Sequence, residues 1–448
     1  MDPGQHLNEA TRARPAGTTF WLSPGVHTLG TSEFGQVIPK DDNAYIGAPG
    51  AILDGKNVNR YAFTQTAVRV TIRHLTITNF VSPPNEGVVN GSSSSGWRIE
   101  RNTITGNKGA GVFMGSDTII SHNCLDSNGQ YGLSGFRPRI EGASAITNVV
   151  IDRNEISRNN TDDWETRVPG CGCSGGAKFW DVSGALVTNN YVHHNRSVGL
   201  WADTNNIGFM FEGNYISEND AEGIWYEISY NAVIRNNTLK RNTLAKGREF
   251  AARRDSFPVG SIYIAESGGD ERVNQGLYST LEITGNHLED NWGGVVLWEA
   301  ADRFCNSPAN TSSSYCTRVN PSVTLDTCVP GKIRAEPYYS DCRWKTQNVS
   351  VHGNLFRLNK AAIGCANDFC GRQGLLSNYG TYPEWSPYKG WVIAEAVTFQ
   401  RNNVFRNNTY VGDWRFTPHD PSRKMKLASW QAPPYNQDSG SRSTDDLP

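Results

Sequence analysis

A short phrase recurs along this chain. An aliphatic or β-branched residue is followed three positions on by Asn, then by an apolar residue, a second Asn, and soon a Gly that opens an apolar run. The Asn pairs are Asn102–Asn107, Asn123–Asn128, Asn154–Asn159, Asn190–Asn195, Asn214–Asn219, Asn237–Asn242, Asn286–Asn291, Asn354–Asn359 and Asn403–Asn408. The tightest separations between first Asn residues are 21, 24 and 23. A period of roughly 20–25 residues with short strand-like runs marks a stacked solenoid.

Each unit contains a run such as Val149-Val150-Ile151, too short for a helix and bounded by Asn and Gly, hence a strand. Asn tolerates the left-handed backbone of a sharp corner, and stacked Asn side chains can hydrogen-bond from coil to coil. One coil cannot bury its own apolar face, so successive coils stack and each strand pairs in parallel with its equivalent one turn along. A leucine-rich horseshoe has a similar period but needs a Leu consensus and helical segments. The pattern therefore predicts an all-β, single-domain parallel β-helix of about ten coils, roughly 50 Å long at about 4.8 Å per coil.

The phrase Asn-x-Ile-x-x-Asn-x-x-x-Gly-Ile resembles the repeats of right-handed parallel β-helices in the pectate-lyase-like superfamily. The segments Ala16 to Gly25 and Ile46 to Gly55 resemble its first coil. The resemblance covers roughly residues 15–412 and implies the fold. The superfamily holds lyases, hydrolases, epimerases, transferases and adhesive proteins, and neither the Asp-Pro-His motif of alginate epimerases nor the paired Asp of polygalacturonases is recognisable here.

On this reading residues 1–14 cap the first coil, with Gln5 to Arg14 as a short amphipathic helix, and 15–412 form the β-helix. Residues 413–448 supply a C-terminal cap and, from Gln437, a disordered tail. Net charge is −2, which gives no electrostatic footprint for nucleic acid or an anionic membrane. No apolar run approaches the roughly 20 residues of a membrane span. Of nine cysteines, Cys305, Cys316, Cys328 and Cys342 fall in one non-repeat insertion, Cys365 and Cys370 in another, and Cys171 and Cys173 in a third. That distribution predicts disulfides stapling loops with little core, hence an oxidising compartment. A zinc site would want closer pairs. Cys124 is expected to be unpaired and buried. Met1-Asp2-Pro3-Gly4 is unlike a signal peptide, so the expectation is a secreted protein whose leader lies outside this sequence. Oligomeric state is open.

After the second Asn, the compact coils carry a Gly-led strand whose side chains alternate faces. With Val112, Leu133, Ala177, Leu200 and Ile224 inside, two outward ladders follow: Phe113, Ser134, Lys178, Trp201, Trp225; and Gly115, Phe136, Trp180, Asp203, Glu227. Tyr263 extends the first. At Trp298-Glu299 either residue could face out, and Asp181 could share the rim. Insertions at 160–175, 243–259, 267–279, 300–347 and 365–395 flank this one strand and predict the walls of a groove.

Aromatic faces stack on sugar rings, and glycoside hydrolysis needs two carboxyls. Asp203 and Glu227 are the leading catalytic pair, with Asp181 in reserve; Trp201, Trp225, Trp180, Tyr263, Lys178, Glu266, Glu299 and Trp298 are candidate substrate contacts. For any one of these the plain alternative is a charged side chain that simply faces solvent, or packing beneath the loops for the Trp residues. The leading expectation is a secreted glycoside hydrolase acting on a polysaccharide or oligosaccharide without cofactor. The alternatives are a uronate lyase or epimerase, or a non-catalytic carbohydrate-binding protein. The second would use Lys178 as base and Arg137, Arg139, Arg253 or Arg254 as the cation, with Ca²⁺ possible near Asp162-Asp163. His193-His194 reads as structural.

Overall fold

The repeat Asn residues are buried rungs, and the corner itself is turned by the residue before each one. Arg101, His122 and Arg153 adopt left-handed backbone with φ of 57°, 57° and 53°, immediately ahead of Asn102, Asn123 and Asn154. This corrects the expectation that the repeat Asn would supply the left-handed conformation, although at Asn189, Asn236, Asn402 and Asn407 the residue that does so is itself an Asn. The exposed neighbour does so, which frees the Asn amide to point inward. The Nδ2 of Asn102 donates to Asn123 Oδ1 (3.1 Å), Asn123 to Asn154 (3.0 Å) and Asn154 to Asn190 (3.0 Å). Each Nδ2 has a second acceptor in a strand carbonyl, as Asn123 has in Ile99 O at 2.8 Å, so the buried amides are satisfied. A second ladder joins Asn107, Asn128, Asn159 and Asn195 at 3.0–3.1 Å.

The last two copies of the phrase depart from this scheme. Asn359 is exposed, and Asn408 receives the Nδ2 of Asn354 at 3.1 Å, so Asn408 occupies the first ladder and not the second. The Asn403–Asn408 pair is therefore one corner out of phase with the others.

The computed structural model describes residues 1–136, 145–273, 279–309, 315–365, 367–377, 383–388 and 393–444. They group into two compact units, Met1–Trp201 with Asn214–Asn219, and Ala202–Gly213 with Asp220–Pro448. In the first unit the chain cycles through three parallel sheets: Ile119–Ser121, Cys124–Asp126 and Tyr131–Gly135 make one coil, and Ile146–Asp152 starts the next. Core residues stack on their equivalents, Ile120 on Ile151, Leu125 on Ile156 and Leu133 on Ala177, all with no exposure. Each such Ile or Leu side chain contributes about 1.5–3 kcal/mol by burial. The second unit repeats the scheme, and its third sheet holds Ile224–Glu227, Ile262–Ala265, Val295–Glu299, Arg372–Ser377 and Arg415–His419.

Helix Leu7–Ala13 lies at the first coil, with Leu7 fully buried and Thr11 Oγ1 3.3 Å from the Tyr45 hydroxyl. Near the C-terminus, the stretch expected as a disordered tail from Gln437 is folded over its described residues, 437–444. Asp438 is fully buried and accepts from Asn408 Nδ2, Tyr410 Oη, Trp430 Nε1 and Ser441 Oγ at 2.6–3.1 Å, replacing Asn as the last rung. Strand Arg442–Thr444 then pairs in parallel with Thr409–Val411.

Eight cysteines form the disulfides Cys171–Cys173, Cys305–Cys316, Cys328–Cys342 and Cys365–Cys370. Cys124 is the ninth, half-buried where burial was expected. Its thiol is pushed up to about 11 by burial and by the nearby Glu155 and Asp126 carboxylates, which keeps it unreactive. Cys305, Cys316, Cys328 and Cys342 pack with Phe304, Ile333 and Tyr388, a small core that the long insertion would otherwise lack.

Candidate active site

In the second unit the third sheet ends in a cluster of carboxylates. Asp203 closes strand Leu200–Asp203 and Glu227 closes Ile224–Glu227. The Thr204 N–H donates to Glu227 O at 3.1 Å, so the two acids are register equivalents on adjacent coils. Ala265 is the next equivalent, and Glu266 follows it at the corner. The corner is conformationally demanding: Thr204, Ile228 and Glu266 have φ of 63°, 39° and 47°. For a β-branched residue such as Ile228 this is a genuine outlier, and such outliers gather at functional sites.

Asp203, Glu227 and Glu266 are 6%, 5% and 2% exposed, so their charge has to be balanced locally. Arg303 does this. Its guanidinium donates to Glu227 Oε1, lies 3.6 Å from Glu266 Oε2 and feels the field of Asp203. Glu266 also accepts the Ala300 N–H at 3.1 Å. Desolvation outweighs these contacts and pushes the Glu266 carboxyl up to about 8, helped by the Glu227 and Glu299 charges and opposed by Arg303. Arg303 comes from the long insertion, and sequence reasoning missed it because that segment has no repeat to align. Its loop is pinned: Cys305 N–H donates to Cys342 O (2.7 Å), Trp344 Nε1 to Asn205 Oδ1 (3.0 Å) and Asn205 Nδ2 to Cys316 O (2.8 Å).

Partly exposed aromatic rings line the same sheet. Trp225 and Tyr263 are in register with centroids 5.3 Å apart, and Phe257 meets Tyr263 and Trp298 edge-on at 6.0 and 5.3 Å. The 243–259 insertion contributes helix Leu244–Ala252, seated by Gly247, where an added Cβ would fall 2.2 Å from the Trp292 ring. From this helix Lys246 reaches over Trp225 (5.2 Å) and pairs with the buried Glu222 at 2.6 Å. Glu222 was also missed, since it precedes its strand. The Tyr263 phenol is pushed well up by burial and by the Glu266, Glu222 and Glu227 carboxylates around it.

The ambiguity at Trp298-Glu299 is resolved. Trp298 is in register with Ala265 and partly exposed, whereas Glu299 has no exposure and is clasped by Arg343 and Arg401, with the Thr346 N–H donating at 2.8 Å. Glu299 is thus removed from the set of substrate contacts.

In the first unit the register joins Phe113, Ser134 and Lys178 as expected from the alternation. Lys178 is buried, donates to Gly172 O and has its ammonium 3.7 Å from the Trp201 ring centroid and 5.3 Å from that of Trp180. Gly172, between the bonded Cys171 and Cys173, covers Trp201 so closely that an added Cβ would stand 3.0 Å from the ring. Trp201 is 4% exposed and so is packing and not an open platform, while Trp180 stays partly exposed. Asp181 is the buried left-handed corner residue between Gly175–Trp180 and Val182–Thr188.

Asp162 is paired with Lys108 at 2.5 Å and Arg167 at 3.8 Å, and exposed Arg253 with Glu249 at 2.7 Å. Arg137 and Arg139 lie outside the described residues. No group of three or more His, Cys, Asp or Glu placed to hold a metal occurs among the described residues. His193 sits on the second sheet, 3.1 Å from Glu155 and stacked on Tyr191.

A family model described as the right handed beta helix region matches residues 86–270. Among solved structures, XylC in complex with xylose is similar at 11% identity and a TM-score of 0.56, over 99% of this chain and 83% of that one. The A-module of mannuronan C-5 epimerase AlgE4 from Azotobacter vinelandii matches at 12% identity and a TM-score of 0.48, over 79% and 90%. The catalytic unit of a GH87 α-1,3-glucanase from Streptomyces thermodiastaticus matches at 12% and 0.48, over 98% and 66%. No curated protein sequence matches the chain. The chain folds as a right-handed parallel β-helix.

Proposed function

We propose that the protein is a secreted carbohydrate-active enzyme, a glycoside hydrolase in which Glu266 is the general acid and Glu227, paired with Arg303, is the second carboxyl. The observation that carries this reading is the contrast in one cluster: a buried Glu266 carboxyl pushed up to about 8 beside a Glu227 that holds a guanidinium. Groups whose environments differ in this way divide the acid and base roles. Glu266 gives its proton to the glycosidic oxygen as the C–O bond breaks; Glu227 attacks the sugar carbon or takes a proton from the water that does so. Asp203, beside Glu227 in register, remains the alternative partner. The aromatic rings of Trp225, Tyr263 and Trp298 offer stacking faces for sugar rings. XylC, of similar extent and fold, holds xylose, which agrees with a carbohydrate ligand. Four disulfides support an oxidising compartment.

The test is turnover of neutral and uronate polysaccharides, followed by reducing-end release and by absorbance of unsaturated products, with and without Ca²⁺. Reducing ends without new absorbance are expected. New absorbance would replace hydrolysis by elimination, and silence on every substrate would remove the hydrolase reading for those sugars and leave the epimerase and binding-protein readings.

A further inference from the structure

The geometry points to a two-compartment binding tract for a neutral oligosaccharide on the third sheet of the first unit. This inference rests on the carbohydrate reading above but uses none of its catalytic residues. One row of side chains carries it: Asn90, Phe113, Ser134 and Lys178 are successive register partners, and Thr64 lies one residue beyond the Phe63–Val89 bridge that starts the row. Two cavities of opposite character open beside this row, one of about 230 Å³ and one of about 240 Å³. The segment Asn85-Glu86 borders both, Asn85 lining the first and Glu86 the second.

The first compartment is largely apolar and built from Phe113, Tyr131, Phe136 and Trp180, with the last two edge-to-face at 5.3 Å; Lys178 also lines it, its ammonium held by Gly172 O and the Trp201 ring. Its wall is held in place. Gln130 accepts from the Asn85 N–H (2.7 Å), donates to Asn85 Oδ1 (3.0 Å) and donates to Cys173 O (2.7 Å), beside the Cys171–Cys173 disulfide. Such a chamber suits the apolar face of a sugar ring.

The second compartment is polar, lined by Gln36, Tyr61, Thr64, Glu86, Asn90 and Ser92. Two of its atoms, Thr64 Oγ1 and Gln36 Oε1, are buried without a hydrogen-bond partner, and Thr64 is only 7% exposed. A buried polar atom left unpaired is costly, so two such atoms on residues that line one cavity mark a place where ligand hydroxyls would be satisfied. Glu86 accepts the Tyr61 hydroxyl and leaves a negative charge at this wall, which opposes a uronate and tolerates an uncharged sugar. An apolar chamber joined to a hydroxyl-seeking one is the complement of a neutral glycan, whose rings have one apolar face and a polar rim.

The experiment is titration calorimetry on the Glu266→Gln protein, so that ligand is not consumed. The ligands are xylo-, manno-, cello- and maltohexaose, with an oligogalacturonate as charged control. At least one neutral hexaose should bind. Trp180→Ala should weaken it about tenfold or more, Trp180→Phe should restore most of the loss, and Thr64→Val, which keeps the shape, should weaken it several-fold. The inference is overturned if no neutral hexaose binds, if Trp180→Ala and Thr64→Val leave the affinity unchanged, or if the oligogalacturonate binds best. Binding that responds to these substitutions in a protein without hydrolytic activity would keep this tract and discard the hydrolase; hydrolysis with indifferent binding would do the reverse.

Discussion

Glu266 and Glu299 occupy the same position on neighbouring coils, since Ala265 is in register with Trp298. Both are buried to 2% exposure or less. Their carboxyls nevertheless move in opposite directions. Glu299 is held below the usual carboxylate range: burial opposes ionisation, but Arg401 and Arg343 together with the Thr346 N–H outweigh it. Glu266 has one guanidinium, 3.6 Å away and shared with Glu227, and is pushed up to about 8. Position in the repeat therefore does not decide a buried carboxyl's chemistry; the number of cations brought to it from elsewhere in the chain does. Two guanidiniums make a structural clasp, and half of one leaves an acid that keeps its proton at neutral pH.

The sharpest way to break this comparison is to neutralise each member. On the hydrolase reading proposed above, Glu266→Gln should reduce kcat by about 10²–10⁴-fold, the usual range for a lost general acid, with thermal unfolding little changed. A variant that keeps its activity would end Glu266's role. Glu299→Gln should do the opposite. It removes the charge that Arg343 and Arg401 share, and a broken buried ion pair costs about 3–5 kcal/mol, read as a lower denaturation midpoint. If Glu299→Gln is as stable as the parent, the clasp is not what holds the insertion.

The sequence could express the first half of this contrast and not the second. The Asn phrase made the coils, the parallel pairing and the register of Asp203 with Glu227 legible, because stacking forces equivalent residues into line. Alternation alone left Trp298 and Glu299 undecided, since the answer lies with Arg343 and Arg401, 44 and 102 residues further along the chain. Arg303 was hidden for the same reason: a disulfide-stapled loop obeys no period, so nothing in its spacing says where its side chains land. The left-handed corner residues were assigned one place late because Asn is the residue that repeats, while the backbone needs only an exposed neighbour such as Arg101 or His122.

The two carboxyls should also divide the pH dependence of stability. For Glu266 the folded value of about 8 exceeds the ordinary 4.5, so the folded state binds the extra proton between them. Its contribution is fully present below about pH 4.5 and is lost as pH rises through 8, with a slope of at most about 1.4 kcal/mol per unit. Glu299 has the opposite sign: its contribution is present above the ordinary value and disappears as pH falls through its depressed one. Denaturant midpoints from pH 5 to 9 should therefore fall with pH in the parent and fall less in Glu266→Gln. Parallel profiles would show that Glu266 titrates normally.

The smallest expected effect tests how the shared guanidinium sets the acid. Arg303 brings one nitrogen, Nη1, to Glu227 and within 3.6 Å of Glu266, and its charge is spread over a planar guanidinium, whereas Lys presents a single compact ammonium. In Arg303→Lys the ammonium should stay with Glu227, its closer partner, and Glu266 should lose part of the field that holds its carboxyl down. The alkaline limb of kcat/KM, which reports deprotonation of the acid in the free enzyme, should then move upward by a fraction of a pH unit. The plateau should fall as Glu227 is oriented less firmly. A downward shift of that limb would mean that Glu266 gains its proton by some route other than the sparing supply of positive charge that separates it from Glu299.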